Sequence, residues 1–300
     1  MLKNLLLIAL RSLWKQKLHT LINLLGLSTG IACFVLIGSY VRYERGFDRF
    51  VPSADRVYRV VGSIEAEGQG EHSSSMVFGL GPTLKHDHPE LIEQQCRFFD
   101  FQDPQHALKV GDSLNTDRLF TESGLYLTDS TVFDLFGYKL KVGDARTALV
   151  RPGSIVLSQA LARKYFGDQD PMGKLMKWDG QFDMQVTGVL ADLPRDSHIT
   201  FEALASMGTI LQFWKNIETR NWVWNPCWTY VRLKPGVSRA EVDRIFPELI
   251  RKYYPDFLKD QVTHALQPLT DIHLTSKLDY EMHPNGDARS VDILWAIGFF

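Results

Sequence analysis

The sequence predicts an α+β globular domain that follows one N-terminal transmembrane α-helix. Residues 18–41 form a long apolar segment without a single Lys, Arg, Asp or Glu. After this segment, strand patterns and helix patterns mix without strict βαβ alternation. The chain has 300 residues, which allow one or two ordinary domains. These three observations together favour a membrane-attached α+β domain, with two small subdomains as one arrangement of it.

The charge of the chain does not favour nucleic-acid binding. The net charge is -2 and the composition, with 45% hydrophobic and 23% charged residues, is that of an ordinary globular protein. The charges are unevenly placed, because no acidic residue precedes Glu44 while four basic residues precede the apolar segment. The N-terminus is therefore a separate region.

Residues 1–17 predict an amphipathic helix in the membrane interface. Polar and apolar side chains fall on opposite helical faces, with Asn4, Arg11 and Lys15 on one and Leu2, Leu6, Ala9, Leu10 and Leu13 on the other. A short continuation of the membrane span is the alternative.

Residues 18–41 predict the first transmembrane helix. As a helix they reach about 36 Å, enough to cross a bilayer with some tilt. A cleaved signal peptide has a shorter apolar region, and a buried helix of a soluble domain normally carries charges on one face. Gly26 and Gly30 form a G-x-x-x-G pair, which predicts close packing of another helix.

The globular region predicted at residues 47–289 shows several clear local signals. "DRVYRVVGSIEAEG" predicts a strand that ends at Gly68, and "GPTLKHDHPELIEQQCRFF" predicts helical structure interrupted near Pro89. "SIVLSQALARKYFG" predicts a strand and then a helix capped by Ser158. "FDMQVTGVL" alternates as a half-buried strand does, and Ser238 with Glu241 predicts a capping box at a later helix.

No motif in the sequence predicts catalysis, cofactor binding or a metal site. "GDQDPMGKL" resembles a phosphate-binding loop, but five residues separate its glycines and leucine follows its lysine, where that loop needs four residues and Ser or Thr. His86 and His88 are two residues apart and would point in different directions on a helix. No G-x-S-x-G elbow or similar mark indicates a nucleophile.

Two further features have structural and functional interpretations. Cys96 and Cys227 pair only if this region is exported, and two separate buried thiols are the favoured interpretation. Trp222, Trp224 and Trp228 are either a stacking platform for a ligand or, as we favour, packing residues at a contact between subdomains.

Several segments taken together resemble the MacB/FtsX-type permeases of ABC transporters. They are, in order, "FDRFVPSADRVYRV", "LARKYFGDQDPMGK", "VTGVLADLPRDSH", "WTYVRLKPG" and "QPLTDIHL". The resemblance implies a porter-like βαβ part with a second subdomain inserted at roughly residues 100–220. It also implies that residues 291–300 begin a second transmembrane helix and that the sequence is part of a longer chain.

The resemblance implies a non-enzymatic permease subunit in the inner (cytoplasmic) membrane, multi-pass in the whole protein. Its domain of residues 47–289 would lie on the periplasmic side and move with ATP hydrolysis by a separate cytoplasmic ABC ATPase. The implied partners are that ATPase, a second permease copy in a dimer, a periplasmic adaptor in some members, and membrane lipid. No cofactor is expected in this chain, since ATP would be bound by the ATPase.

Other function classes remain open from the sequence alone. Basic residues flank residues 18–41 on both sides, so the charge count does not decide the orientation, although a cytoplasmic N-terminus is favoured. The main alternative is the extracytoplasmic ligand-sensing region of a membrane receptor similar to a sensor kinase. A membrane-attached hydrolase is disfavoured because no nucleophile is indicated.

Overall fold

The computed structural model describes residues 11, 13–66, 69–101, 105–110 and 119–298. Most of the amphipathic helix predicted at residues 1–17 lies outside these residues. The described chain divides into two compact units, one formed by the terminal segments up to Gly46 and from Gly286, and one formed by Phe47–Asn285.

The predicted apolar helix is present as α1 (Lys17–Glu44). Its most apolar window has a mean hydropathy of 2.1 and is not buried, and α1 is the one helix among the described residues that is long and apolar enough to cross a membrane. In the same unit α10 (Ala288–Gly298) packs against α1. An Arg45–Asp292 ion pair of 2.7 Å joins the two helices. The assignment of residues 291–300 to a second span stays a prediction.

The Phe47–Asn285 unit is built on one mixed sheet. Within the described residues its strands are β1 (Val57–Ala66), β2 (Gln69–Ser73), β3 (Ile92–Phe99), β4 (His106–Val110), β5 (Leu119–Glu122), β6 (Leu125–Thr128), β7 (Leu140–Val142), β8 (Ser154–Leu157), β9 (Leu175–Trp178), β10 (Phe182–Leu190), β11 (Ala203–Ser206), β12 (Cys227–Leu233) and β13 (Val262–Pro268). They run in the order β13-β1-β12-β3-β6-β11-β8-β10-β9-β4-β5, with β2 beside β1 and β7 beside β10. Strands β6 and β11, and strands β8 and β10, are parallel, and the other pairs are antiparallel.

Short helices and two 3₁₀ turns connect these strands. They are α2 (Leu80–Asp87), α3 (Val132–Phe136), α4 (Gln159–Phe166), α5 (Met207–Phe213), α6 (Ile217–Arg220), α7 (Arg239–Asp243), α8 (Phe246–Tyr253) and α9 (Ile272–Thr275), with the 3₁₀ turns at Ala54–Arg56 and Leu269–Asp271. The predicted α+β fold class is therefore confirmed. The inserted subdomain at residues 100–220 stays a prediction.

Three hydrophobic clusters form the core of this unit. The first surrounds Trp178 and Phe99, the second surrounds Phe98 and Tyr230, and the third surrounds Phe246. The adjacent residues Phe98 and Phe99 of β3 lie in different clusters, as expected because successive side chains of a strand point to opposite faces. The centre of the sheet is thus buried on both faces.

The helical structure predicted after Pro89 is wrong. The helix α2 ends at Asp87, and the following segment is the strand β3, which pairs with β12 along most of its length. Because β3 is buried on both faces, its sequence lacks the alternation of a half-buried strand. Gln94 and Gln95 in its middle are partly buried.

The local capping signals are confirmed. The Ser158 hydroxyl accepts a hydrogen bond from the Leu161 N–H at 3.0 Å at the start of α4. At α7 the Glu241 carboxylate accepts the Ser238 N–H at 2.7 Å, completing the predicted capping box.

Replacing the capping serine should weaken the fold modestly. We expect Ser238→Ala to lower the free energy of unfolding by about 1 kcal/mol, because the backbone N–H of Glu241 loses the Ser238 hydroxyl as its acceptor in the capping box. For a unit of this size the midpoint of thermal unfolding should fall by about 2–4 °C. Glu241→Gln keeps an acceptor oxygen and should cost less. Equal losses in the two variants would contradict the capping role.

Candidate functional site

The Phe47–Asn285 unit contains a cleft with the dimensions of a small-molecule site. Its volume is about 590 Å³. A second pocket of about 360 Å³ shares Asp100 and Met282 with it and adds Trp228 and Tyr280 to the lining. Ligand sites in proteins commonly enclose about 300–1,000 Å³ and combine apolar walls with a few polar groups. We call the two joined pockets the cleft.

One wall of the cleft is the start of β6. Residues 123–126 line it, and Gly124 has a φ of 70°. The Gly124 carbonyl accepts the Glu202 N–H at 2.8 Å. A Cβ on Gly124 would lie 3.4 Å from the Glu202 nitrogen, and the positive φ would strain any other residue. Glycine at this position therefore allows the two walls to meet.

The opposite wall combines residues 193–195 and 200–202 with Met282 and His283. Burial lowers the pKa of His283 below its ordinary value, so its ring is neutral near pH 7. Its Nε2–H donates to the Thr200 carbonyl at 2.9 Å. This hydrogen bond joins the two segments that make the wall.

His106 gives the cleft a buried acceptor. Its Nδ1 lies 2.8 Å from Oδ2 of Asp179, whose other oxygen accepts the Ala107 N–H at 2.7 Å. A carboxylate only accepts, so Nδ1 carries a proton, and Nε2 is an acceptor in the tautomer that has this one proton. Nε2 is buried and has no hydrogen-bond partner among the described residues. A buried polar atom without a partner is costly and marks a place where function is to be sought.

The cleft carries more negative than positive charge. The carboxylates of Asp100, Glu202 and Glu281 line it together with one guanidinium, that of Arg195. Burial and then the Asp100 carboxylate raise the pKa of Tyr126 above its ordinary value, which places that negative charge near the aromatic wall. The arrangement offers acceptors and negative charge beside apolar surface.

The chain enters the Phe47–Asn285 unit through a buried polar network. The Asp48 N–H donates to the Asp196 carbonyl at 2.7 Å, and one Asp48 oxygen accepts the His198 N–H at 3.1 Å. The other oxygen lies 2.8 Å from Nδ1 of His198, whose Nε2 lies 2.8 Å from the Tyr230 hydroxyl. The start of the unit is thereby fixed to β12.

The chain leaves the unit through a second network. Glu281 forms a bidentate ion pair with the fully buried Arg59, at 2.6 and 2.8 Å. Trp228 Nε1 donates to the Tyr280 carbonyl at 2.8 Å. With His283 bonded to Thr200, entry and exit both reach residues 196–200, which we call the junction segment. This segment continues directly into the cleft wall.

Comparison with known proteins identifies the family. Residues 20–248 match the family described as MacB-like periplasmic core domain. The chain belongs to this family. The resemblance to MacB/FtsX-type permeases is thereby confirmed. A comparison with curated protein sequences finds no significant match.

Two solved structures have a fold similar to that of this chain. A domain of a protein described as a permease, from Porphyromonas gingivalis, has 23% identity and a TM-score of 0.60, with 73% of this chain and 92% of that domain covered. The periplasmic region of MacB from Actinobacillus actinomycetemcomitans has 16% identity and a TM-score of 0.50, with 75% and 92% covered. At these identities the likeness establishes the fold alone.

The helix-packing residues predicted in this MacB-like chain lie on an open surface of α1. A Cβ built on Gly26 or on Gly30 meets no atom within 4 Å among the described residues. The close approach of another helix there stays a prediction.

The three predicted tryptophans lie against three different parts of the core. Trp222 stacks on Tyr253 in the third cluster at 4.8 Å between ring centroids, and Trp224 packs against the first cluster. Trp228 belongs to the second cluster and also lines the cleft. Their assignment as contacts between subdomains stays a prediction.

The cysteines and histidines considered in the sequence analysis make packing contacts or local polar contacts. Cys96 and Cys227 are free and buried on adjacent strands, in different clusters and so on opposite faces of the sheet. His86 contacts Asp87, and His88 contacts Glu90. Among the described residues no group of three His, Cys, Asp or Glu side chains has the placement of a metal site.

Sequence reasoning missed the cleft. Its charged residues are single Asp, Glu, Arg and His side chains from separate segments, with no motif spacing between them. The one local signal is "WDGQF", a tight Asp-Gly turn in which Asp179 and Gly180 both have positive φ and Asp179 supports His106.

Proposed function

We propose that this chain is the membrane-spanning permease subunit of an ABC transporter, with its globular domain outside the cytoplasm. A partner ATPase would drive movement of that domain to export a substrate or to transmit force across the envelope. The observation that carries the proposal is the MacB-like family match over residues 20–248, together with the candidate span α1 at the start of that match. The proposed location is the inner membrane, with further spans in the whole protein.

The two buried networks support a role in transmitting motion. Asp48 and Glu281 lie near the two ends of the Phe47–Asn285 unit. Glu281 is paired with Arg59 on β1, and Asp48 contacts His198 of the junction segment, which in turn contacts Tyr230 on β12. Packed interiors move between discrete arrangements rather than deform freely. A displacement at either end of the unit would therefore pass to the sheet and to the junction segment.

The proposed partners follow from the family and not from particular residues of this chain. They are a cytoplasmic ABC ATPase, a second permease copy or half, membrane lipid and a periplasmic adaptor. We assign no catalytic role to any of the described residues. ATP would be bound by the partner ATPase.

Thiol labelling should show the exported domain directly. In a Cys33→Ala background, we expect Glu248→Cys to react with a membrane-impermeant maleimide in intact cells. Glu248 is exposed on α8, and burial raises the pKa of both remaining thiols, Cys96 and Cys227, which keeps them unreactive. Lys15→Cys is the matched control and should react only after the cells are permeabilised. Reaction of Lys15→Cys alone in intact cells would reverse the orientation.

A second measurement separates the permease from a sensor receptor, which predicts the same labelling. The whole tagged protein, purified from its own membrane, should bring with it vanadate-sensitive ATPase activity. A preparation from an untagged strain is the control. Absence of that activity, with histidine phosphorylation of the chain itself in its place, would favour the receptor.

A further inference from the structure

We propose that the cleft binds a ligand that carries a protonated amine beside an apolar body, and that such a ligand braces the junction segment. The inference concerns the cleft itself and does not depend on coupling to an ATPase. It rests on the shape of the cleft, on its hydrogen-bond acceptors and carboxylates, and on the chain segments that form its walls.

The hydrogen-bonding groups of the cleft call for a ligand that donates. Asp179 holds a proton on Nδ1 of His106, so Nε2 is an acceptor in the tautomer that has this one proton. That buried acceptor has no partner among the described residues. The Nε2–H of His283 is already donated to Thr200. A ligand with N–H or O–H groups would thus satisfy an atom that a purely apolar ligand would leave unpaired.

The charge of the cleft selects a cation among such donors. The lining of the two pockets contains three carboxylates, those of Asp100, Glu202 and Glu281, and one guanidinium. Glu281 is paired with the buried Arg59, and burial keeps one of the two lining histidines, His283, neutral. Asp100 lies where the two pockets join and contributes to both. An ammonium group near Asp100 would be attracted electrostatically by the carboxylates of Asp100 and Glu202, whereas a carboxylate ligand would be repelled.

The apolar part of the ligand has its own surface. Leu125, Tyr126, Phe201 and Met282 line the larger pocket, and Trp228 lines the smaller one. The Tyr126 and Trp228 rings pack edge to face at 6.0 Å between centroids. Aromatic faces attract both apolar groups and cations, so the body and the charge of one ligand fit the same place.

A bound ligand would also touch the segments that hold the ends of the unit. Thr200 belongs to the junction segment and Phe201 follows it, while Met282 and His283 belong to the segment through which the chain leaves the unit. Binding to both sides of this wall favours the arrangement in which they are joined. By linkage, the factor by which the ligand favours the joined arrangement of the two segments is also the factor by which separating them weakens binding of the ligand.

The test uses 2-phenylethylamine as the probe, with the whole chain in nanodiscs and calorimetric titration at pH 7. Its neutral and anionic analogues, 2-phenylethanol and phenylacetate, are the matched ligands. We expect a dissociation constant on the order of 1 mM for so small a ligand. The amine should bind at least tenfold more tightly than the alcohol, and phenylacetate should not bind.

Variants locate the binding. Asp100→Asn and Glu202→Gln should each weaken binding of the amine several-fold and leave binding of the alcohol unchanged. Glu202 is exposed, so Glu202→Gln tests the charge without disturbing the core. Glu248→Gln, a change of the same kind outside the cleft, should have no effect. Equal affinity for amine and alcohol, or loss of binding in Glu248→Gln as well, would overturn the proposal.

Hydrogen exchange tests the link to the junction segment. Saturating amine should slow amide exchange in residues 196–202, relative to the same concentration of phenylacetate. The effect should disappear in Glu202→Gln. Binding with unchanged exchange in these residues would overturn the bracing of the junction segment.

Discussion

Removal of the buried guanidinium of Arg97 should greatly lower the free energy of unfolding of the globular unit. Arg97 lies on β3 and is 2% exposed. It forms a bidentate pair with Asp129 at 2.9 and 2.7 Å and donates to Glu218 at 2.6 Å and to the Phe78 carbonyl at 2.7 Å. In Arg97→Met the partner carboxylates lose their counter-charge inside the protein. We expect a loss of about 3–5 kcal/mol in the free energy of unfolding.

The measurement is denaturant unfolding of the whole chain in detergent, followed by near-ultraviolet circular dichroism of the packed aromatic residues. Arg97→Lys keeps the charge but not the planar fork that matches the Asp129 carboxylate, so it should recover only part of the loss. The double variant Arg97→Met with Asp129→Asn should be more stable than Arg97→Met alone, because one unpaired charge is removed. A loss below about 1 kcal/mol in Arg97→Met would contradict the role of this network.

The sequence predicted those elements whose signals are local. Residues 18–41 contain no charge, and the helix α1 spans them. Ser158 and the Ser238–Glu241 pair mark helix starts because capping involves side chains only a few positions apart. Strand β10 was predicted because its alternation matches a strand buried on one face over its first half. Each of these signals depends on a few neighbouring residues.

The sequence could not predict features that arise from the whole sheet. Strand β3 is buried on both faces between β12 and β6, so its pattern lacks a period that distinguishes it from a helix. The cleft likewise joins Asp100, Glu202 and His283, which are far apart in the chain. Their proximity depends on the strand order and on the junction segment, and neither can be predicted from the spacing of neighbouring residues. The same limit explains why Arg97, a buried cation inside a misassigned strand, carried no signal.

Acid should destabilise the globular unit through His264. This side chain lies on β13 opposite Gly62, and a Cβ on Gly62 would lie 2.9 Å from its Nδ1. Its Nε2 lies 2.8 Å from the Tyr254 hydroxyl. Burial lowers the pKa of His264 to about 4, because the charged ring would lose its hydration, and the backbone of Thr263 offsets only part of this effect.

The sign of the pH effect follows from linkage. In the unfolded chain a histidine takes up a proton below about pH 6.5, whereas folded His264 stays neutral down to about pH 4. Between these values the unfolded state binds more protons, so the free energy of unfolding falls as the pH falls. The expected loss from this one group is about 3 kcal/mol between pH 7 and pH 4. Above about pH 6.5 the group should have no effect.

His264→Gln isolates this contribution, since glutamine preserves a partner for the Tyr254 hydroxyl and does not titrate. Denaturant unfolding of both proteins at pH 7, 6, 5 and 4 gives the difference directly. Other titrating groups, such as the Glu281 carboxylate, are present in both proteins and cancel. We expect the wild-type protein to lose about 3 kcal/mol more than His264→Gln over this range. Parallel curves would mean that the folded protein accepts the charge, and His264 would then have to reach water or a counter-charge when it is protonated.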